Sequence, residues 1–361
     1  MTVRFIFIIQ GEGRGHMTQA IALRQILEES GHHVIKVIVG RSNRRDVPQF
    51  FKEQIKTPII QLDSPNFITD RKQKSVKPLR SLIYSILRSP KYQRSLNSLS
   101  KIVDDNQPDV LVNFYDFIGG LYNFSRKPKC RFVCIAHQYL IKHPEFEFPK
   151  GRPINRTSLK IANKITSLGA DRILALSFKR LNNLSGKKTF IVPPLLRKEI
   201  QEIKVKQSDF LLVYLVNPGY GEEIRKFHEL NPKIPIHCFW DMKDKPNEWI
   251  VDNTLIFHQL DGQKFLDKMA FCKGYATTSG FESVCEAMYL GKPVMMVPVR
   301  GHYEQSCNSI DAKKAGAGIV NKKFDLNELL EFIPHYKDTS GWFKDWVKSN
   351  KGVFLQHLTE S

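Results

Sequence analysis

The sequence predicts an α/β chain of two doubly wound domains, each a parallel sheet flanked by helices. Three observations carry this reading. The chain opens on a strand, a glycine-rich turn, a helix and a second strand, and a second strand–helix series starts after residue 209. Short apolar runs that end in polar residues recur at βα spacing in both halves. At roughly 150 residues per domain, a length of 361 also makes two.

Each element follows in order. Val3-Arg4-Phe5-Ile6-Phe7-Ile8-Ile9 is a near-continuous β-favouring run, as a strand covered on both faces should be. Gly11-Glu12-Gly13-Arg14-Gly15-His16 is the turn after it. Residues 18–29 then place Ile21, Ala22, Gln25, Ile26 and Glu29 at helical spacing, and Gly31 stops the helix. Strands are expected at 34–39, 108–113, 131–136, 172–176 and 190–192. Pro193-Pro194 breaks regular structure, and the charged stretch after it reads as a linker. The second series has strands at 210–216, 236–239, 254–257, 274–277 and 293–298, and a closing helix with Trp342 and Trp346. The expected division is 1–192, a linker at 193–208, 209–340, and a C-terminal helix at 341–361.

Composition narrows the class. Apolar residues at 42% and charged residues at 25% are ordinary globular values and argue against disorder or a fibrous repeat. No apolar run approaches the ~18 residues that span a bilayer, and the N-terminus lacks the form of a secretory signal. The six cysteines are dispersed in apolar stretches, with no pair of CxxC units, which predicts buried reduced thiols in a cytoplasmic protein and no zinc site. The net charge of +19 calls for an anionic partner. Nucleic acid is disfavoured, because no helix-turn-helix, zinc-finger or RNA-recognition signature is present.

Three loops are candidates for chemistry. The first glycine loop, Gly13, Arg14 and Gly15, would let an anionic ligand approach a helix N-terminus. It is not a dinucleotide fingerprint, since His16 stands where the third glycine belongs and Gly40-Arg41 where an acidic residue should follow the second strand. His16 is either a capping or surface histidine or a general base. Asp116 is either the N-cap of the helix around 118–124 or the carboxylate that orients such a base. His137, after the strand ending at Ala136, is either an acceptor-site residue or part of an ordinary turn. The strongest signal is residues 275–320. There Ser279-Gly280 at a strand-to-helix junction faces N–H groups toward a diphosphate, Glu286 lies about two turns on, and Glu304-Gln305 ends the next loop.

In this stretch the chain resembles the inverting nucleotide-sugar glycosyltransferases of the two-domain Rossmann-like (GT-B) fold. The group with the N-acetylglucosaminyltransferase of the peptidoglycan lipid intermediate (family 28) is nearest, and the UDP-glycosyltransferases are more distant. The shared features are Ser279-Gly280, Glu286 six residues after the glycine, Gly291-Lys292-Pro293, Glu304-Gln305 and Asn308-Ser309. His16 after its glycines and Asp116 in Tyr115-Asp116-Phe117 add a shorter match. The resemblance implies two domains facing across a cleft, with the acceptor on the first and a UDP-sugar donor on the second. It implies that His16 deprotonates the acceptor hydroxyl while Asp116 holds its ring. Ser279 and Gly280 would meet the diphosphate, Glu286 the ribose, and Glu304 with Gln305 the transferred sugar. Gly219 and Tyr220, in Asn217-Pro218-Gly219-Tyr220-Gly221, would form a second phosphate loop that departs from the family's glycine-serine forms, and Phe257-His258 would hold the base. Transfer would invert the anomeric centre with no metal and no cofactor beyond the donor. Two rivals share the fold: a sugar-nucleotide 2-epimerase, and a nucleotide-sugar-binding subunit without catalysis.

Residues 71–101 carry nine basic side chains and no acidic one, with Leu79, Leu82, Ile83, Ile86 and Leu87 at helical spacing. Such a helix either lies on an anionic membrane face, where a lipid or lipid-linked glycan acceptor resides, or packs its stripe on the domain with its cations in water.

Overall fold

The computed structural model describes residues 1–41, 46–65, 88–184, 186–242 and 244–360. The segment 66–87, with the whole apolar stripe of the proposed membrane helix, lies outside the described residues. The chain forms two compact units. The first comprises Met1–Phe146, Lys150–Leu195 and Lys348–Ser361, and the second Glu147–Pro149 and Leu196–Val347.

The first unit holds strands β1 (Arg4–Ile9), β2 (His33–Arg41), β3 (Ile59–Asp63), β4 (Val110–Phe114), β5 (Arg131–Ala136), β6 (Arg172–Leu176) and β7 (Thr189–Val192). They order as β3-β2-β1-β4-β5-β6-β7, and every pair is parallel. Strands β1 and β4 are fully or nearly fully buried along their length because helices cover both faces. The second unit holds β8 (Leu211–Leu215), β9 (Ile236–Trp240), β10 (Glu248–Ile250), β11 (Leu255–Gln259), β12 (Gly274–Thr277), β13 (Val294–Met296) and β14 (Gly318–Val320). Their order is β10-β11-β9-β8-β12-β13-β14, with β10 alone antiparallel among the described pairs. In each sheet the winding reverses beside the first strand, between β1 and β4 and between β8 and β12. The connections there leave in opposite directions and open a crevice at the carboxyl ends of the strands.

Several expectations need correction. The first helix runs Arg14–Glu28, so the end of the glycine turn, His16 included, is already helical. Three strands were not anticipated, and each is short or at a sheet margin. Only Leu62 of β3 is buried, β10 is a three-residue edge strand, and β14 is a three-residue strand that starts at the last glycine of 315–318. The stretch after Pro194 is not a free linker. Arg197 is buried and Ile200, in the helix Lys198–Glu202, is wholly so, because both pack into the second unit. The closing segment is two helices, Ser340–Lys348 and Asn350–Thr359. The second belongs to the first unit, where Arg131 Nη1 donates to the Glu360 carbonyl at 2.7 Å and Arg172 Nη1 to that of His357 at 3.0 Å. Both cations serve carbonyls a helix end leaves unpaired. In the described part of the basic stretch, the helix Pro90–Asn106 buries Leu96, Leu99 and Val103 and leaves Lys91, Arg94 and Lys101 at least partly in solvent.

Packing near the first crevice depends on one close approach. The helix Phe117–Arg126 crosses the helix Pro153–Thr166 at Gly120, where a Cβ would stand 2.0 Å from the Ile165 carbonyl oxygen. Backbone cannot yield as a side-chain tip can, so Gly120→Ala should cost about 1–3 kcal/mol. Chemical denaturation of the two proteins measures this, and equal midpoints would contradict the packing described.

Candidate active site

The first crevice is built from the loops after β1 and β4. Gly13 is the N-cap residue of the helix Arg14–Glu28 and offers no side chain to its first turn, so Arg14, Gly15 and His16 present backbone N–H groups at the strand ends. His16 is 7% exposed, and its Nδ1 lies 3.3 Å from Gln19 Oε1. Donation from Nδ1 to this amide oxygen would leave the lone pair on Nε2.

The loop after β4 brings Tyr115 and Asp116 to the same end of the sheet. Tyr115 has φ +60°, a left-handed conformation that costs a non-glycine residue energy. Asn113 holds the turn, accepting from the Asp116 N–H at 3.1 Å and donating to the Asp116 carbonyl at 2.9 Å. The Tyr115 ring stacks on His16 with centroids 5.8 Å apart, and its hydroxyl donates to Asn163 Oδ1. Asp116 is the N-cap of the helix Phe117–Arg126. Its Oδ1 accepts from Ile118 N–H at 2.8 Å and from Ser64 Oγ at 2.7 Å. Gly40 makes room for it, since a Cβ there would fall 2.2 Å from Asp116 Oδ2. Thus His16 and Asp116 meet in one crevice, but the hydrogen bond observed at His16 Nδ1 goes to Gln19, and those to Asp116 come from Ser64 and the helix end.

Burial raises the Asp116 carboxyl to about 6, partly offset by its hydrogen bonds from Ser64, Ile118 and Gly119. His137 is driven the other way, to about 4, by burial, with its bond to Leu176 opposing. Its Nδ1 lies 2.8 Å from the Leu176 carbonyl and its ring meets Phe178 edge-on, so it joins β5 to β6 as a neutral imidazole.

The second crevice is built from the loops after β8 and β12. Gly280, at the N-cap of the helix Phe281–Tyr289, provides no capping side chain. Just before it Ser279 has φ +66° and no exposed surface. The hydroxyls of Thr278, Ser279 and Ser283 are buried without a hydrogen-bond partner, although such groups are ordinarily satisfied. From the helix Tyr303–Lys314, which follows β13, Asn308 Nδ2 donates to the Ser279 carbonyl at 3.3 Å. Glu304 and Gln305, expected at the end of the loop, instead stand in the first turn of that helix, where Gln305 Oε1 accepts from Val299 N–H at 2.8 Å and Glu304 is half-buried. Glu286 is 3% exposed and bound by Arg197, whose Nε and Nη2 donate to Oε1 at 2.9 and 2.6 Å. After β8, Asn217 Oδ1 accepts the Gly219 N–H at 3.0 Å, so that N–H is satisfied within the turn, and Tyr220 packs on Phe324.

Phe257 and His258 lie on β11, both buried. Phe257 packs on Trp240 and Trp249. His258 Nε2 lies 2.8 Å from His237 Nδ1, and its Nδ1 is 3.4 Å from Glu248 Oε1. Both ring nitrogens therefore face protein groups instead of an open loop, and burial lowers this imidazole to about 4, with Lys268 adding to the shift. Among the described residues, no group of three or more His, Cys, Asp or Glu is placed to hold a metal ion, and no helix is long and apolar enough to cross a membrane.

Sequence reasoning missed Tyr115, Gln19, Ser64, Arg197 and the separate roles of Thr278 and Ser283. Only Ser283 had a usable signal, a hydroxyl in the first turn of the helix that begins after Gly280.

Two doubly wound sheets in one chain are the architecture of the GT-B glycosyltransferases. The chain belongs to glycosyl transferase family 1, whose model matches residues 3–336. Solved structures agree at the level of fold. The spinosyn rhamnosyltransferase SpnG complexed with thymidine diphosphate superposes with a TM-score of 0.63 at 12% identity, covering 99% of this chain and 100% of that one. Phytolacca americana UGT2, complexed with UDP-2-fluoro-glucose and pterostilbene, gives 0.62 at 12% identity, covering 98% and 96%. Acinetobacter baumannii MurG gives 0.57 at 14%, covering all of both chains. No curated protein sequence matches closely enough to count as a relative.

One prediction concerns Asp116. Folding raises its pKa from 3.8 to about 6, so the fold favours the protonated carboxyl. That contribution is full below about pH 4 and is lost as pH rises through about 6. Asp116→Asn keeps an acceptor for Ser64 and Ile118, so its thermal midpoint should gain on the wild type between pH 4 and pH 7.5. An offset independent of pH would contradict the assignment.

Proposed function

We propose that this glycosyltransferase moves a sugar from a UDP-sugar to an acceptor hydroxyl with inversion. The reading is carried by the second crevice, where three buried hydroxyls without partners, those of Thr278, Ser279 and Ser283, surround an uncapped helix end. A diphosphate satisfies such groups. It accepts their hydrogen bonds and those of the free N–H groups, and its charge meets the positive end of the helix dipole. Charge accumulates on the leaving diphosphate as the glycosidic bond breaks, so donors fixed in advance lower the barrier without a bound metal. Glu286 receives the ribose, and Glu304 and Gln305 receive the transferred sugar.

In the first unit His16 is the general base. Its Nε2 takes the acceptor proton as the oxygen attacks the anomeric carbon from the face opposite the leaving group, and one displacement inverts that centre. Gln19 sets the tautomer, and Asp116 supplies carboxylate charge behind the stacked Tyr115. The acceptor we assign is a lipid or lipid-linked glycan, on the support of the +19 charge and the basic stretch 71–101.

A panel of UDP-sugars with lipid and glycan acceptors tests the reading. His16→Ala should cut acceptor-dependent UDP release by about 10²–10⁴-fold while leaving UDP affinity unchanged. Ser279→Gly should raise the thermal midpoint by relieving the left-handed serine, yet weaken UDP binding. EDTA should change neither rate nor affinity, and the product anomer, read by NMR, should be opposite to the donor's. Interconversion of free UDP-sugars without transfer would replace this reading with epimerisation, and binding without turnover would replace it with a non-catalytic subunit.

A further inference from the structure

Arg197 is a buried cation that the reaction as described leaves without a task. It stands three residues after Pro194, outside every motif in the sequence, yet only 8% of it is exposed. Two of its guanidinium N–H groups converge on a single oxygen, Glu286 Oε1. Among the described residues no hydrogen bond ends on Glu286 Oε2. The guanidinium is fitted closely on its other side too. A Cβ on Gly262, the first residue of the helix Gly262–Phe271, would lie 3.3 Å from Arg197 Nη1, so a residue without a side chain stands there.

The position of Glu286 gives this pairing a meaning. Glu286 lies in the helix Phe281–Tyr289, three residues after Ser283 and so on the same face as that unpartnered hydroxyl. Glu286 lies six residues beyond Gly280, roughly 9 Å along a helix. That is about the span from the diphosphate of a nucleotide to its ribose hydroxyls. Arg197 places a countercharge directly on this carboxyl, which is only 3% exposed. With Oε1 saturated by the guanidinium, the remaining acceptor capacity is concentrated on Oε2.

We propose that Arg197 is a positioning residue that makes Glu286 a reader of the donor's ribose, so that this chain selects ribonucleoside over 2′-deoxyribonucleoside diphosphates. The inference rests on the donor reading above and deepens it. A ribose 2′-hydroxyl donates to Oε2. A deoxyribose leaves a charged, largely desolvated oxygen without that donor, which disfavours binding far more than the loss of a neutral contact. Lysine in place of Arg197 would keep the charge but not the two-pronged grip, so the carboxylate would be less firmly turned. The selection acts on the sugar of the nucleotide and is independent of the base.

Calorimetric titration of the full chain with UDP and 2′-deoxy-UDP tests this, because the two probes differ only at the 2′ position. The wild type should prefer UDP by about 10- to 100-fold. In Arg197→Met the preference should fall below about three-fold, and in Arg197→Lys it should be intermediate. A merely structural arginine would lower the thermal midpoint and leave the ratio of the two affinities untouched, which would overturn the proposal. If Arg197→Met does not fold, Arg197→Lys decides alone, and a wild-type ratio in that variant counts against the role. A wild type that binds UDP and 2′-deoxy-UDP equally refutes the inference while the donor reading stands. A wild type that binds neither refutes both.

Discussion

A parallel strand can receive crossover connections on either side, but only where the winding changes direction do two adjacent loops part and leave the strand ends uncovered. In this protein that constraint operates twice. Between β1 and β4 it separates the loop ending at His16 from the loop carrying Tyr115 and Asp116, and between β8 and β12 it separates Asn217–Tyr220 from Thr278–Gly280. Every other feature of the two sites is an elaboration of those openings. A helix begins at each, so each offers unpaired backbone N–H groups and a positive dipole end.

The two crevices also share a backbone solution. The non-glycine residues Tyr115 and Ser279 both adopt left-handed conformations just past the strand on the far side of the switch, β4 in one sheet and β12 in the other. Neither is a residue type that favours such a conformation, and each is held by its surroundings. Asn113 brackets Asp116, the residue after Tyr115, and Asn308 binds the Ser279 carbonyl. The strain turns each loop sharply at the strand end, which brings the tyrosine ring over His16 and sets the serine at the uncapped helix end.

Charge is handled differently on the two sides. Asp116 is held by hydrogen bonds and a helix end, which offset its burial only in part, so its carboxyl titrates high. Glu286, equally buried, is instead met by the Arg197 guanidinium, which donates twice to its Oε1. One carboxyl is thus pushed up by burial at the first crevice, and the other is paired with a buried cation at the second.

The amino-acid order by itself determined the fold class, nearly all the interior strands, and those site residues that lie next to strand ends. Periodicity and loop position are local properties, so the placement of His16, Asp116 and Ser279 just past strand ends was legible from the chain alone. Edge strands β3, β10 and β14 were not, because short or half-exposed segments lack the continuous apolar run of an interior strand. Tertiary structure alone decided which groups complete the sites. Ser64 reaches Asp116 across 52 residues and Arg197 reaches Glu286 across 89. No local pattern encodes partners at such distances, and a charged stretch looks the same whether its arginine points into water or closes on a buried carboxylate. That choice is made only when the elements pack and the buried charge requires a counterion.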